Sequence, residues 1–310
     1  MNIENIPSSK AGLVAVAGRP NVGKSTLINA LLGQKVAAVS PRPQTTRKLQ
    51  QAILTLENAQ VILVDTPGTH HPHHKLGELM NEEAKESLED CDIILWLMDA
   101  SQPPDADDHL LVNQVANIKL SLPIILALNK IDLISEEILQ GRQETYLSLL
   151  SSRRIPLDNI RTIPISATRG DNLDVLLQEV IKHLPEGEPF YPESQVTDLY
   201  EREIAADLIR EAALIHLRDE VPYSIFVRVD DYIERGEHGA YVTATLYVER
   251  ESHKPIVIGQ GGNMLKKIGS TARQEIEAMS GRKIFLELRV KLSKNWRNDP
   301  DVLRSFGFGR

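Results

Sequence analysis

Gly18-Arg19-Pro20-Asn21-Val22-Gly23-Lys24-Ser25 decides how the rest of the chain is read. It is a G-x-x-x-x-G-K-S loop, and its flanks are the ones that motif requires. Leu13-Val14-Ala15-Val16-Ala17 before it is an apolar run of buried-strand length. Thr26-Leu27-Ile28-Asn29-Ala30-Leu31-Leu32 after it carries apolar residues at helical spacing, with Gly33 as a stop. Strand, glycine loop and helix together make a phosphate cradle. The glycines let main-chain N–H groups approach phosphate oxygens, and the helix N-terminus adds partial positive charge. Lys24 is expected to reach the β- and γ-phosphates and Ser25 to offer its hydroxyl to Mg²⁺. Gly18, Asn21, Val22, Gly23, Lys24, Ser25 and Thr26 are the candidate nucleotide ligands here.

The bulk composition suits a soluble two-domain protein. The chain has 310 residues, 42% hydrophobic and 25% charged, which is more than one ordinary core needs. A single cysteine, Cys91, excludes an internal disulfide and fits a reducing, cytoplasmic setting. Cys91 precedes an apolar strand, where a small buried thiol is expected. Met1–Lys10 lacks the basic and apolar regions of a signal peptide. No apolar run approaches the roughly eighteen residues of a membrane-spanning helix.

Outward from the loop, short apolar runs alternate with helical patterns. Ala52–Leu56 and Val61–Val64 flank Glu57–Gln60 and read as a hairpin. Ile93–Met98 forms a strand ending at Asp99, and Pro123–Leu128 and Thr162–Ile165 form two more. Residues 106–118 and 136–151 read as helices. Leu173, Leu176, Leu177, Val180, Ile181 and Leu184 mark a further helix that Pro185 ends. Continuous apolar strands alternating with helices predict an α/β domain, its sheet mainly parallel and covered on both faces. His70, His71, His73 and His74 surround Pro72 and read as a polar loop, because that spacing suits no regular metal-binding helix. The first domain is expected over 1–187, with a proline- and glycine-containing linker over 188–197.

From 198 the pattern changes to α-β-β-α-β, with period-two strands. Ile225, Val227 and Val229, then Val242, Ala244, Leu246 and Val248, then Ile284, Leu286, Leu288, Val290 and Leu292 each mark one face of a strand. This is a separate small α+β domain over 198–310. It contains Gly259-Gln260-Gly261-Gly262, a G-x-x-G turn between two helical segments. Such a turn lets a sugar-phosphate backbone lie against the main chain. Net charge is −8 overall, but residues 252–310 carry twelve basic and five acidic side chains. Residues 188–251 carry six and fifteen. Lys254, Lys266 and Lys267 flank the turn, with Arg273, Arg282, Lys283, Arg289 and Lys291 beyond, giving a phosphate-backbone footprint.

The base is chosen at Asn129-Lys130-Ile131-Asp132, directly after a strand. Guanine presents N1–H and a 2-amino group, and a carboxylate at Asp132 offers two matching acceptors. Adenine lacks that pair of donors. Asn129 is expected at the N7/O6 edge, the stem of Lys130 over the ring, and Ser166-Ala167 at O6 through a main-chain N–H. Asp65-Thr66-Pro67-Gly68 closes the set: Asp65 for Mg²⁺ through water, the Gly68 N–H for the γ-phosphate. Between lies Gln44-Thr45-Thr46-Arg47, where a threonine can complete the Mg²⁺ shell when the third phosphate is present.

This ordered set resembles the translation-factor-related GTPases, specifically the Era subgroup of the TrmE-Era-EngA type. The second domain resembles a KH module of the α-β-β-α-α-β kind, and a G domain followed by that module is the layout of the subgroup. The ending from Trp296 to Pro300 and from Leu303 to Phe308 resembles the subgroup's tail. The resemblance implies Thr46 as the Mg²⁺ ligand, with Thr45 the alternative. It also implies slow GTP hydrolysis carried by Lys24, Thr46 and Gly68, since Thr69 stands where Ras-type proteins place a water-orienting glutamine. Asn21 resembles an asparagine that helps hold K⁺ near the phosphates; shaping the loop is its other reading. The Gly259–Gly262 turn departs from KH turns that carry lysine, having Gln260 and Gly261 instead.

The implied partners are GTP or GDP and single-stranded RNA at the 3′ end of 16S ribosomal RNA. The implied role is in assembling the small (30S) ribosomal subunit, as a cytoplasmic monomer. Two alternatives stay open. One is a nucleotide-gated RNA scaffold whose hydrolysis is incidental. The other is a membrane-associated or cell-division signalling GTPase, in peripheral contact with the inner face of the cell membrane. A tRNA-modifying GTPase is disfavoured, because no cysteine-bearing C-terminal motif is present.

Overall fold

The structure is a computed structural model. It describes residues 9–40, 42, 46–68, 71–117, 122–153, 155–157, 160–236 and 239–309. Gln44, Thr45, Thr69 and His70 lie outside the described residues. The chain divides into two compact units. The first comprises Met1–Gly33, Arg47–His71 and Met80–Asp198, the second Gln34–Thr46, Pro72–Leu79 and Leu199–Arg310.

The first unit is built on a six-stranded sheet. Its strands are β1 (Lys10–Ala17), β2 (Gln50–Leu56), β3 (Ala59–Asp65), β4 (Ile93–Asp99), β5 (Ile124–Asn129) and β6 (Ile160–Pro164). They lie in the order β2-β3-β1-β4-β5-β6, and only the β2–β3 hairpin is antiparallel. Helices α1 (Lys24–Leu32), α2 (Lys75–Glu89, in this unit from Met80), α3 (Ala106–Ala116), α4 (Glu136–Ser152) and α5 (Leu173–His183) connect the strands. Every residue of β4 is buried. Ile94, Trp96 and Met98 point into a core shared with Leu111, Val112 and Val115 of α3 and Tyr146 and Leu150 of α4. Ile93, Leu95 and Leu97 are equally buried on the opposite face, so the run is continuous rather than alternating, as a sheet covered on both sides demands.

Element edges differ from the sequence reading in small ways. The hairpin ladder takes in Ala59 and Gln60, leaving Glu57 and Asn58 as the turn. Strand β6 begins at Ile160 rather than Thr162. Helix α2 escapes the sequence reading, although Leu76, Met80, Ala84 and Leu88 are all buried at four-residue spacing. The linker stretch is tied down. The Gln60 side chain donates to the Tyr191 carbonyl and accepts from the Phe190 and Tyr191 N–H groups. Thr197 bridges to Ala52, and Ile53 N donates to Val196 O at 2.9 Å. Cys91 is buried, its thiol pushed up to about 11 by burial, which leaves it unreactive.

The second unit holds α6 (Glu201–His216), β7 (Phe226–Glu234), β8 (Gly239–Val248), α7 (His253–Ile258), α8 (Asn263–Ser280), β9 (Lys283–Leu292) and α9 (Pro300–Ser305). Central β8 runs antiparallel to β7 and parallel to β9. The inward residues of all three strands pack against α6, α7 and α8 around Leu208, Ala212, Val242, Leu246, Ile268 and Ile276. The C-terminal tail returns to the start of β7. Phe226 and Phe306 stack with ring centroids 3.9 Å apart, and Trp296, fully buried, donates its Nε1–H to Ser224 O. Truncating Trp296 to alanine would cost about 3–5 kcal/mol. Among the described residues no helix is long and apolar enough to cross a membrane.

Candidate nucleotide site and nucleic-acid surface

Strand β1 sits between β3 and β4, so chain direction across the sheet reverses there. A crevice outside the strand carboxyl ends is where open α/β sheets bind ligands. The loop from Gly18 to Ser25 leaves β1 at this point. Asp65, Asp99 and Asn129 are the last residues of β3, β4 and β5, and Ser166-Ala167 follow β6. The sequence-predicted residues of the first unit therefore converge because each terminates a strand.

The loop is held tightly. Gly23 adopts φ 104°, and a Cβ there would stand 2.4 Å from Asn129 Nδ2, so only glycine fits. Asn129 donates to Val22 O at 2.7 Å and accepts from Ala167 N at 2.9 Å. One amide thus ties the phosphate loop to both segments predicted to meet the base. Lys130, in the left-handed region, donates to Asn21 O at 2.8 Å and to Asp99 Oδ2 at 2.6 Å. Burial alone would raise the Asp99 carboxyl, but bonds from Lys130 and Ser101 outweigh it and hold it below the usual range. The Ser166 hydroxyl donates to Asp132 Oδ1 at 2.7 Å, orienting the carboxylate expected to read guanine. Ile131, Asp132, Ser135, Arg169 and Asp171 line a recess of about 200 Å³ beside it.

At the phosphate end, Lys24 is buried and donates to the Gly18 and Arg19 carbonyls at 2.9 and 3.2 Å. Burial lowers its ammonium to about 8, against the opposing pull of Asp65. The Ser25 hydroxyl donates to Asp65 Oδ2 at 2.9 Å. A hydroxyl beside a buried carboxylate is a hard-oxygen donor set, which fits Mg²⁺. Gly68 lies against Pro20 of the loop. Thr46, the third predicted Mg²⁺ ligand, belongs to the second unit, at the end of its Gln34–Thr46 segment. Among the described residues no cluster of three or more His, Cys, Asp or Glu could hold a metal; His74 instead faces Asn298 at 3.5 Å.

Sequence reasoning misses one clamp. Arg19 reaches Asp105 at 2.9 Å and Asp108 at 3.1 Å, with Asp99 at 4.0 Å. Asp105 and Asp108 also form the capping box of α3, so a helix start doubles as an anchor for the phosphate loop. The D-x-x-D at 105–108 before an apolar helix is the available signal.

In the second unit, α7 ends at Gly259 and α8 begins after Gly262, as the G-x-x-G reading expects. Gly259 has φ 73°, and a Cβ there would meet Met264 at 2.6 Å. Gln260 and Gly261 are exposed, and so are Lys266 and Lys267 one turn into α8; Lys254 is half-buried on α7. Lys35 and Val39 are fixed within this unit. Lys35 binds Glu211 and Glu275 at 2.7 and 2.9 Å, and Val39 N donates to Glu211 at 3.0 Å.

A phosphate loop with a guanine-type base segment, followed by an α-β-β-α-α-β module with a G-x-x-G turn, defines a P-loop GTPase carrying a KH domain. The family model described as 50S ribosome-binding GTPase matches residues 13–130, and the KH domain model matches 220–297. The GTPase Era of Halothermothrix orenii is 45% identical over 97% of this chain and 99% of its own. That of Ruminiclostridium cellulolyticum is 46% identical over 97% and 98%. A crystal structure of Era with MgGDPNP and nucleotides 1506–1542 of 16S ribosomal RNA superposes with TM-score 0.89 at 40% identity, over 97% of this chain and 100% of that one. A single-residue variant of Aquifex aeolicus Era bound to GDP·AlF4⁻ gives 0.86 at the same identity and coverage. The chain belongs to the Era family of GTPases.

Proposed function

We propose that this chain is a GTP-hydrolysing switch that binds single-stranded RNA at the 3′ end of 16S ribosomal RNA and assists assembly of the small ribosomal subunit. The RNA carried by the solved relative supports the ligand. One observation supports the switch. The segment ending at Thr46, expected to sense the third phosphate, packs through Lys35 against helices α6 and α8 of the KH unit.

Asp132, with Asn129, Lys130, Ser166 and Ala167, selects guanine. Lys24 and the N–H groups of the loop and of Gly68 stabilise charge on the transferring phosphoryl group as water attacks in line. Ser25, Asp65 and Thr46 would hold Mg²⁺, which when bound neutralises phosphate charge. The MgGDPNP of the solved relative supports the ion. Asn21, at φ 66° in the phosphate loop, is the K⁺ ligand in this reading. Gly259–Gly262 with Lys254, Lys266 and Lys267 clamps about four nucleotides. The functional domains run over 1–187 and 198–310, and the protein works as a cytoplasmic monomer.

Crosslinking in cells, with sequencing of the attached RNA, tests the ligand. A sharp peak at the small-subunit RNA 3′ end is expected; an even spread over unrelated RNAs would overturn it. Turnover in K⁺ and in Na⁺ buffer tests Asn21: faster turnover in K⁺ is expected, and equal rates remove the ion from the mechanism.

A further inference from the structure

The KH unit carries an aromatic feature that the four-residue turn does not use. Tyr241 and Phe285 are register partners on neighbouring strands β8 and β9. Their rings stack with centroids 5.3 Å apart and planes 17° from parallel. The Arg235 guanidinium lies 5.3 Å from the Tyr241 ring centre. The Tyr241 hydroxyl donates to Glu287 at 2.7 Å, which fixes the ring. Phe285 is 65% exposed. An unsupported phenylalanine at that exposure is an ordinary surface residue; one braced by a stacked tyrosine is a rigid flat ledge.

Two recesses connect the ledge to the turn. One, of about 400 Å³, is lined by Gly262, Lys266, Arg273, Leu286 and Leu288, between α8 and β9. The other, of about 500 Å³, is lined by Arg235, Tyr241, Arg273, Lys283 and Phe285, with Glu277 as its carboxylate. Arg273 borders both. From Gly262 to Arg273 along the helix is about 16 Å. That length exceeds the reach of the four-residue turn, and Arg273 leads to the far face of the sheet, where Tyr241 and Phe285 alternate with the inward Val242, Ile284 and Leu286. A cationic track with a bare aromatic face is how single strands are held without sequence readout.

We propose that Tyr241 and Phe285, flanked by Arg235, Arg273 and Lys283, form a base-stacking platform that extends the RNA track past the four-nucleotide clamp. The proposal rests on the KH unit binding single-stranded RNA. The test uses the full chain and single-stranded fragments of about four and about twelve nucleotides from the 16S ribosomal RNA 3′ end. One base–aromatic stack is worth ~1–3 kcal/mol. Phe285→Ala is therefore expected to weaken the long fragment about 5- to 150-fold and leave the short one unchanged, while Phe285→Trp keeps full affinity. Lys266→Ala, at the clamp, is expected to weaken both lengths. Equal long-fragment affinity for Phe285→Ala and wild type overturns the platform, as does an equal loss at both lengths. A photo-crosslinker at position 285 that labels protein rather than RNA in the ribosomal particle also overturns it. Wild-type protein that binds neither fragment overturns the RNA reading itself, and the platform with it.

Discussion

The Lys130 ammonium donates to the Asn21 carbonyl at 2.8 Å. It links the segment proposed to select the base to the loop proposed to hold the phosphates, across more than a hundred residues of sequence. Both residues have positive φ without being glycine, 69° and 66°, a strained conformation kept only where the surroundings over-determine it. The two candidate segments are thus one mechanical unit, and mutations at either end are expected to report on both.

Asp132→Asn tests the base segment. Asparagine offers one donor and one acceptor, which suits xanthine's carbonyl and N1–H better than guanine's two donors. Losing the charged acceptor should weaken GDP binding at least about hundredfold, from ~3 kcal/mol of lost hydrogen bonding. XDP affinity should rise in the same variant. Competition titration with both nucleotides reads this; unchanged preference for GDP would remove Asp132 from base selection.

Lys24 predicts a pH dependence. Burial lowers its ammonium to about 8, and phosphate oxygens in the complex raise it again. Below about pH 8 both free and bound protein carry the charge, so affinity is flat. Above it, binding must take up a proton, and affinity falls with rising pH, by at most about tenfold per unit. Measuring GDP dissociation constants from pH 6.5 to 9 shows whether the break lies near 8. A flat profile would be inconsistent with the buried ammonium.

The Arg19 clamp makes Asp108 a positioning residue. Burial raises its carboxyl to about 6, against the opposing Asp105 N–H and Arg19 charge. Asp108→Asn keeps a helix-capping oxygen but removes the charge facing Arg19. GTP turnover should drop about tenfold, the worth of one ion pair to a buried carboxylate at ~1.5 kcal/mol. In the wild type, turnover should weaken as pH falls through about 6, while Asp108→Asn is insensitive in that window. Identical acid limbs for the two proteins would argue that the clamp is inert.

Lys35 is held above its usual value because, although burial lowers it, the bonds from Glu211 and Glu275 win. Lys35→Ala should narrow the difference in RNA affinity between the GTP-analogue and GDP forms, with stability falling by ~1–3 kcal/mol because the buried Glu211 loses its cation while the exposed Glu275 loses little. Lys35→Arg should restore the difference. RNA titrations in both nucleotide states decide it, and an undiminished difference in Lys35→Ala would exclude this contact from the coupling.

The geometry of the candidate nucleotide site is legible because each of its parts is local. Gly18–Ser25, Asp65–Gly68, Asn129–Asp132 and Ser166-Ala167 are strand ends whose chemistry is written in consecutive residues. The G-x-x-G turn is legible for the same reason, once α-β-β precedes it. What escapes depends on distant partners. Gln60 secures Phe190 and Tyr191 from 130 positions away, so a stretch rich in proline and glycine looks like a free tether. Arg19 gives no sign of Asp105 and Asp108. Helix α2 is hidden by the histidines before it, although its four-residue apolar repeat is there to count. Nothing around Lys35 and Val39 announces that they meet residues beyond 199; only the complementary charge of Lys35 with Glu211 and Glu275 does so, and that requires the fold.

The second unit draws Gln34–Thr46 and Pro72–Leu79 out of the first half of the chain. The KH half is therefore not a cassette. Severed at residue 198 and expressed alone, it would bare the flank of α6 that Lys35 and Val39 cover and strand the Glu211 carboxylate. Grafted behind a foreign GTPase, it would meet loops of the wrong sequence.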